Sequence, residues 1–292
     1  MSSKHPEPLI INLAPTGMVP TKDQTPHVPV SPDEIVEDVE RCRALGVSIV
    51  HVHARDEEGR PTHQREYFSP VIEGIRRLDP ELIVCATCSG RYVTELDERA
   101  DVLELEGDAR PDMASLTVGS NNFQREASVN PPHVIKGLAE RMRARGIKPE
   151  LEVFEPGMLH YARHLCERSI IEPPCYVNVL LGNLGTSPAT PGSLGAFLAL
   201  MPGSWTWAVA GIGSFQLNAN LLAIASGGHV RVGLEDNIWW DRARTELATN
   251  QMLVERIVRL AETAERPIAA PGEVREWLGL PHPGLVSSTA AT

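Results

Sequence analysis

The chain reads as an α/β protein of the (β/α)8 TIM barrel class. Eight short apolar runs rich in β-formers alternate with eight longer stretches of helical periodicity. The alternation fills about 265 residues, a usual length for eight βα units. The rival, an open doubly wound sheet, lacks its glycine-rich dinucleotide fingerprint after the first strand. There the chain reads Ala14-Pro15-Thr16-Gly17-Met18-Val19-Pro20 and continues proline-rich to Pro29.

Strands are expected at 9–14, 47–53, 82–87, 113–117, 151–154, 176–180, 206–210 and 229–232, where β-branched and apolar residues cluster. Helices are expected at 32–45, 66–78, 94–105, 131–145, 157–170, 192–201, 214–226 and 241–264. Ser31-Pro32-Asp33-Glu34 starts the first helix with a hydroxyl cap, a proline at the first position and two acids at the positive dipole end. Asn130-Pro131 and Thr190-Pro191 read as similar starts, and Gly46 and Gly146 as helix ends. With 292 residues, 42% hydrophobic, one barrel domain over 1–292 accounts for the chain, ending in a short flexible tail from Gly284.

Composition excludes several function classes. The net charge of −11, without a basic tract, argues against a nucleic-acid surface. No apolar run approaches the roughly 18 residues of a membrane span. The amino terminus lacks the apolar core of a secretory signal. Five cysteines in a chain of this size do not make a disulfide framework. A reduced, cytoplasmic enzyme is expected.

Catalytic groups of this fold gather at the carboxyl ends of the strands. His51 and His53 end the second strand two residues apart, so both imidazoles share one face and can reach one ion. Cys85, Thr87, Cys88, Ser89, Gly90 and Arg91 follow the third strand; Ser115 and Thr117 end the fourth. Glu150, Glu152 and Glu155 mark the fifth, Asn178 and Asn183 the sixth, and Arg231, Glu235 and Asp236 the eighth. In a closed barrel the eighth strand lies two inter-strand spacings from the second, about 10 Å. Glu235 is therefore the natural third ligand, with Asp236 in direct competition. Two histidines and a carboxylate leave a zinc ion one open position.

Other signals are weaker. The Cys85/Cys88 spacing has no second pair, and His160/His164 lacks the metalloprotease glutamate. His229 fits a hydrogen bond inside its strand. Gly211, Gly213 and Ser214 open a helix after the seventh strand, where exposed amides suit a cofactor phosphate. Close packing of the turn explains the two glycines equally well. The loop 181–187 forms a second candidate wall of a cofactor entrance.

These residues also carry a family resemblance. Pro15-Thr-Gly17, 29–34, His51-Val-His-Ala-Arg-Asp56, 207–213 and 227–237 together resemble the β-keto acid cleavage enzymes over nearly the whole chain. The resemblance implies a zinc-dependent TIM barrel, usually a homotetramer, that converts a β-keto acid and acetyl-CoA to acetoacetate and a new acyl-CoA. It places the zinc ligands on His51, His53 and Glu235. Substrate contacts fall on Thr87, Gly90 and Ser115, an Arg–Asp catalytic pair on Arg231 and Asp236, and a further catalytic glutamate on Glu152. Where the family's lysine-fermentation member carries a glutamate for the substrate's ammonium, this chain has Val19 beside Met18. Valine cannot counter a buried cation, so a substrate without that ammonium is expected. A metal-dependent hydrolase or aldolase on the same barrel is the alternative enzyme reading. A CoA- or metal-binding structural protein is the non-enzymatic one.

Overall fold

The computed structural model describes residues 7–283, and the expected tail from Gly284 lies outside the described residues. Eight parallel strands close into a barrel: β1 (Ile11–Leu13), β2 (Ile49–Val52), β3 (Ile83–Ala86), β4 (Met113–Thr117), β5 (Lys148–Val153), β6 (Tyr176–Leu181), β7 (Thr206–Gly211) and β8 (His229–Val232). Each pairs with its successor in sequence. The ring closes where Ile11, Asn12 and Leu13 meet Val230, Arg231 and Val232.

Strand parity divides the apolar residues into two cores. Along β2, Val50 and Val52 face the helices, whereas Ile49 points into the barrel with Ile83, Met113, Tyr176 and Ala208. His51 and His53 continue the inward parity toward the carboxyl end. The lower barrel is thus a mainly apolar plug into which His229 also points, and the other polar side chains begin one layer above it.

Helices cover the outside: α1 (Pro32–Arg43), α2 (Arg65–Leu78), α3 (Leu96–Arg99), α4 (Pro132–Ala144), α5 (Pro156–Glu167), α6 (Pro191–Leu200), α7 (Gln216–Ala225) and α8 (Asn250–Thr263). Ser31 caps α1 in a full capping box with Glu34, and Thr190 caps α6. Gly46 and Gly146 adopt the left-handed conformation of helix ends.

Four elements depart from expectation. The helix expected over 94–105 breaks after Arg99 into a 3-10 turn at Asp101–Glu104. Arg99 is drawn fully inside to bond the Cys88 carbonyl and Asn130, which forces a tighter path. Helix α4 takes Pro131 as its N-cap, because Asn130 Oδ1, the acceptor a cap would use, accepts from Arg99 at 2.7 Å while its amide donates to the Gly119 carbonyl and Ser128. Helix α8 begins only at Asn250. Residues before it are folded back by a Trp239–Leu247 bridge and by the Asp241 carboxylate, which accepts from the Thr245 and Glu246 amides. A ninth helix, α9 (Pro271–Leu278), was not legible in the pattern; its Val274 and Leu278 cap the amino-terminal end of the barrel.

Candidate active site

At the carboxyl end, inward residues of five strands converge on one cavity of about 350 Å³. His53, Thr87, Thr117, Glu152, Arg231, Glu235 and Asp236 all line it.

Three ligand atoms stand at coordination spacing. His51 Nε2 lies 3.3 Å from His53 Nε2, and His53 Nε2 lies 3.2 Å from Glu235 Oε1. Tetrahedral ligands held about 2.0–2.1 Å from zinc stand about 3.3 Å apart. His51 Nδ1 donates to Glu150 Oε2 at 2.6 Å, so in its neutral form Nε2 is bare and faces the second imidazole. Glu235 Oε2 is buried with no hydrogen-bond partner. A lone-pair acceptor facing two ring nitrogens, beside an orphaned carboxylate oxygen, fits a cation. The His51–Cys85–Glu150 group is a second cluster of ligand atoms. Its 2.6 Å contact is a closed hydrogen bond too short to straddle an ion, and Cys85 Sγ donates to the same carboxylate at 3.2 Å.

Charge points the same way. The Arg231 guanidinium, 1% exposed, has carboxylates of Glu150, Glu152, Glu235 and Asp236 within 4.0 Å. One buried cation against four acids leaves a surplus of negative charge that a dication relieves. Burial opposes ionisation of Glu235, yet Arg231 and the two imidazoles hold its pKa well below the usual range. Burial lifts Asp236 to about 6, against the pull of Arg231 and with help from the Glu235 charge. Burial and Arg231 depress His51, but the Glu150 and Glu235 carboxylates outweigh them and raise it. His53 is lowered, chiefly by burial.

The turn after β8 separates the two adjacent acids. Gly233 is left-handed, and a Cβ there would meet the Ala14 carbonyl at 2.1 Å. The Glu235 amide then bonds that same carbonyl, aiming Glu235 at His53 while Asp236 accepts from Arg231 Nε at 3.1 Å. Glu152 accepts from Thr117 Oγ1 at 2.7 Å and from Arg231 at 3.1 Å.

Not every expected site residue reaches the cavity. Ser115 is buried and accepts from the Cys88 amide, and Thr117, two residues on, takes the lining position. Gly90 packs against the Val129 carbonyl and Asn130 without reaching the cavity. Gly211 packs on the backbone of Gln216, and the Gly213 amide is committed to the Asp236 carbonyl at 2.7 Å. Close packing therefore accounts for Gly211 and a left-handed φ of 61° for Gly213, which alone of the trio lines the cavity. Val19, 47% exposed, lies at the mouth with Met18. Arg91 lies over the Phe123 ring at 3.6 Å, with its Nε 3.7 Å from Glu126. His229 Nδ1 accepts from the Ile10 amide, as a strand histidine should. His160 and His164 are exposed on α5. Glu150 was overlooked as a site residue. Its inward parity with Glu152 was the available signal.

A family model described as "beta-keto acid cleavage enzyme" matches residues 8–280. A 3-keto-5-aminohexanoate cleavage enzyme of Fusobacterium nucleatum subsp. nucleatum is 39% identical over 276 residues, 94% of this chain and 98% of that protein. A 3-oxoadipate:acetyl-CoA acetyltransferase of Cupriavidus necator is 35% identical over 279 residues, 94% of this chain and 96% of that one. Among solved structures, the apo structure of ObcA superposes with a TM-score of 0.77 at 19% identity. That match covers 87% of this chain and 66% of ObcA, and at such identity it speaks for the fold alone.

Proposed function

The chain belongs to the β-keto acid cleavage enzyme family, and from that premise we propose that it condenses a β-keto acid with acetyl-CoA, giving acetoacetate and a new acyl-CoA. The observation that carries the reading is the His51–His53–Glu235 set beside the Arg231–Asp236 pair, opening into one cavity.

His51, His53 and Glu235 would hold a zinc ion. When bound, zinc supplies Lewis-acid polarisation of the keto oxygen and lowers the barrier to losing the α-proton. Asp236 is the base that takes this proton, and Arg231 fixes the orientation of its carboxylate. The Asp236 carboxylate is buried in the cavity wall. The new carbon–carbon bond joins the α-carbon to the acetyl carbonyl of acetyl-CoA, and the CoA thiolate leaves. That thiolate then adds to the substrate's keto carbon. The bond between keto carbon and α-carbon breaks, releasing the new thioester and the acetoacetate carbanion, which recovers the proton that Asp236 took. Glu152, held by Thr117 and Arg231, stands where it can relay protons between these steps. Thr87 contacts substrate oxygens, while Ser115 and Gly90 shape the loop that carries it. Acetyl-CoA approaches over the Gly211–Ser214 turn, where Gly213 borders the cavity.

The distal wall defines the substrate. Met18 and Val19 stand at the mouth, and the Arg91 cation is balanced by Glu126. A distal ammonium finds no unpaired acid among these residues, which supports a substrate lacking one. No helix of the described residues is long and apolar enough to cross a membrane. A homotetramer is part of the same reading and is checked by light scattering.

Purified protein with acetyl-CoA and a panel of cationic, neutral and dicarboxylic β-keto acids tests the proposal. Acetoacetate should form most rapidly from a member without an ammonium group. No acetoacetate from any member overturns the reaction, and preference for a cationic member overturns the role of Val19.

A further inference from the structure

One layer beneath the ligand set lies a carboxylate that the chemistry above does not touch. Glu150 on β5 is completely buried and does not line the cavity. Donors from four other strands surround it. Oε1 accepts from Asn12 Nδ2 of β1 and Asn178 Nδ2 of β6, both at 2.7 Å. Oε2 accepts from His51 Nδ1 of β2 at 2.6 Å and from Cys85 Sγ of β3 at 3.2 Å.

The arrangement is costly unless it serves something. An isolated buried carboxylate is penalised by several kcal/mol, and an apolar side chain of like volume would fill the layer without that penalty. The two asparagines also point their amide nitrogens at Glu150, while their own carbonyl oxygens are buried without partners. An orphaned buried acceptor costs about 1–3 kcal/mol. Two such acceptors are thus tolerated to keep one carboxylate ionised and fixed.

What the fixed carboxylate does follows from hydrogen-bond inventory. An ionised carboxylate only accepts, so the proton of a neutral His51 must sit on Nδ1. Nε2 is then a bare lone pair, aimed at the space between His53 and Glu235. We propose that Glu150 is a positioning residue that locks the tautomer and ring orientation of His51, so that Nε2 is presented for metal binding. The proposal rests on the reading of His51, His53 and Glu235 as metal ligands, but its first test does not require a metal.

Glu150→Gln is nearly isosteric. Its amide oxygen must face Asn12 and Asn178, which leaves its NH2 against His51 Nδ1. That nitrogen becomes an acceptor, and the proton moves to Nε2, where it blocks the ligand position. In metal-free protein in alkaline buffer, 15N spectra should show wild-type His51 protonated at Nδ1 and the E150Q ring protonated at Nε2. Competition with a chromophoric chelator should show zinc affinity reduced about 10- to 100-fold in E150Q. Thermal unfolding monitors the fold. A second variant, Glu150→Asp, keeps an acceptor-only group and should retain the wild-type tautomer with a smaller affinity loss.

Wild-type His51 protonated at Nε2, or unchanged zinc affinity in a folded E150Q, overturns the proposal. If E150Q does not fold, the wild-type tautomer and the E150D affinity decide it: an Nδ1 proton with E150D affinity lowered but measurable supports it, and an Nε2 proton overturns it. Wild-type protein that binds no zinc while His51 keeps its Nδ1 proton overturns the metal reading of the three ligands instead.

Discussion

The barrel buries an arginine at each end, and the two are satisfied in opposite ways. At the floor, Arg275 of α9 donates to the carbonyls of Glu81, Leu82 and Pro281 and to Asp112 Oδ1, all within 3.1 Å. Asp112 is shared with Arg76, and the Glu81 carboxylate lies 3.6 Å from Arg275, so two cations meet two acids and nothing is left to react. At the mouth, Arg231 faces four carboxylates and a cavity. The same side chain pins α9 to the barrel in one place and holds an unbalanced acid cluster in the other. Balance serves stability. Surplus charge beside a cavity creates demand for a cation and keeps one carboxylate hard to ionise.

Breaking the surplus should have the largest effect. Glu235→Gln removes a ligand and one of the four charges. Several kcal/mol of transition-state stabilisation are lost with the metal, so turnover falls roughly a thousandfold or more. Metal analysis of the purified variant should show zinc lost in parallel, and undiminished turnover without metal would sink the comparison. Asp236→Asn keeps the ligand set but removes the base; turnover should fall by about 10²–10⁴ with zinc content unchanged. An undiminished rate in that variant would reassign the base.

The floor should respond in stability alone. Arg275→Met leaves Asp112 with one partner and several backbone carbonyls unpaired, and costs about 3 kcal/mol in urea unfolding. Turnover of the folded fraction should stay at the wild-type level, and a matching loss of activity would show that the two ends are coupled.

The smallest effect is a pH dependence. As the proposed base, Asp236 would act only when ionised, so kcat/KM should fall about tenfold per pH unit below its pKa. That pKa is about 6 in the protein without a cation, and a bound cation can only move it lower. The same shift sets a sign for stability. The folded-state value lies above the ordinary one, so its contribution is present at low pH and is lost as pH rises through about 6. Asp236→Asn should remove this component from the difference between pH–stability curves measured on metal-free protein. An unchanged curve would remove Asp236 from the balance.

Much of this site was readable in one dimension because strand parity is a local property. His51 and His53 must share a face whatever the rest of the chain does, and Arg231 must face inward with His229 two residues before it. Helix starts such as Ser31 with Glu34 are local for the same reason. Short-range signals failed where a distant partner took the decisive hydrogen bond. Asn130 lost its capping oxygen to Arg99, 31 positions away, whereas Asp241 was a local competitor that folded back a segment with helical periodicity by accepting from the Thr245 and Glu246 amides. Helix α9 was missed because its apolar positions make sense only against the open end of the barrel.

The sequence by itself determined the eight-fold alternation, the histidine pair and the family, since each is written in neighbouring residues or in motifs along the chain. Tertiary structure alone decided which of Glu235 and Asp236 turns to the imidazoles, that Thr117 rather than Ser115 meets the cavity, and that Glu150 grips His51 from below. Those choices depend on where strands 1, 2, 5 and 8 stand when the ring closes. The hydrogen bonds that place Glu235 and Glu150 join residues about a hundred or more positions apart, and the one that turns Ser115 away from the cavity spans 27.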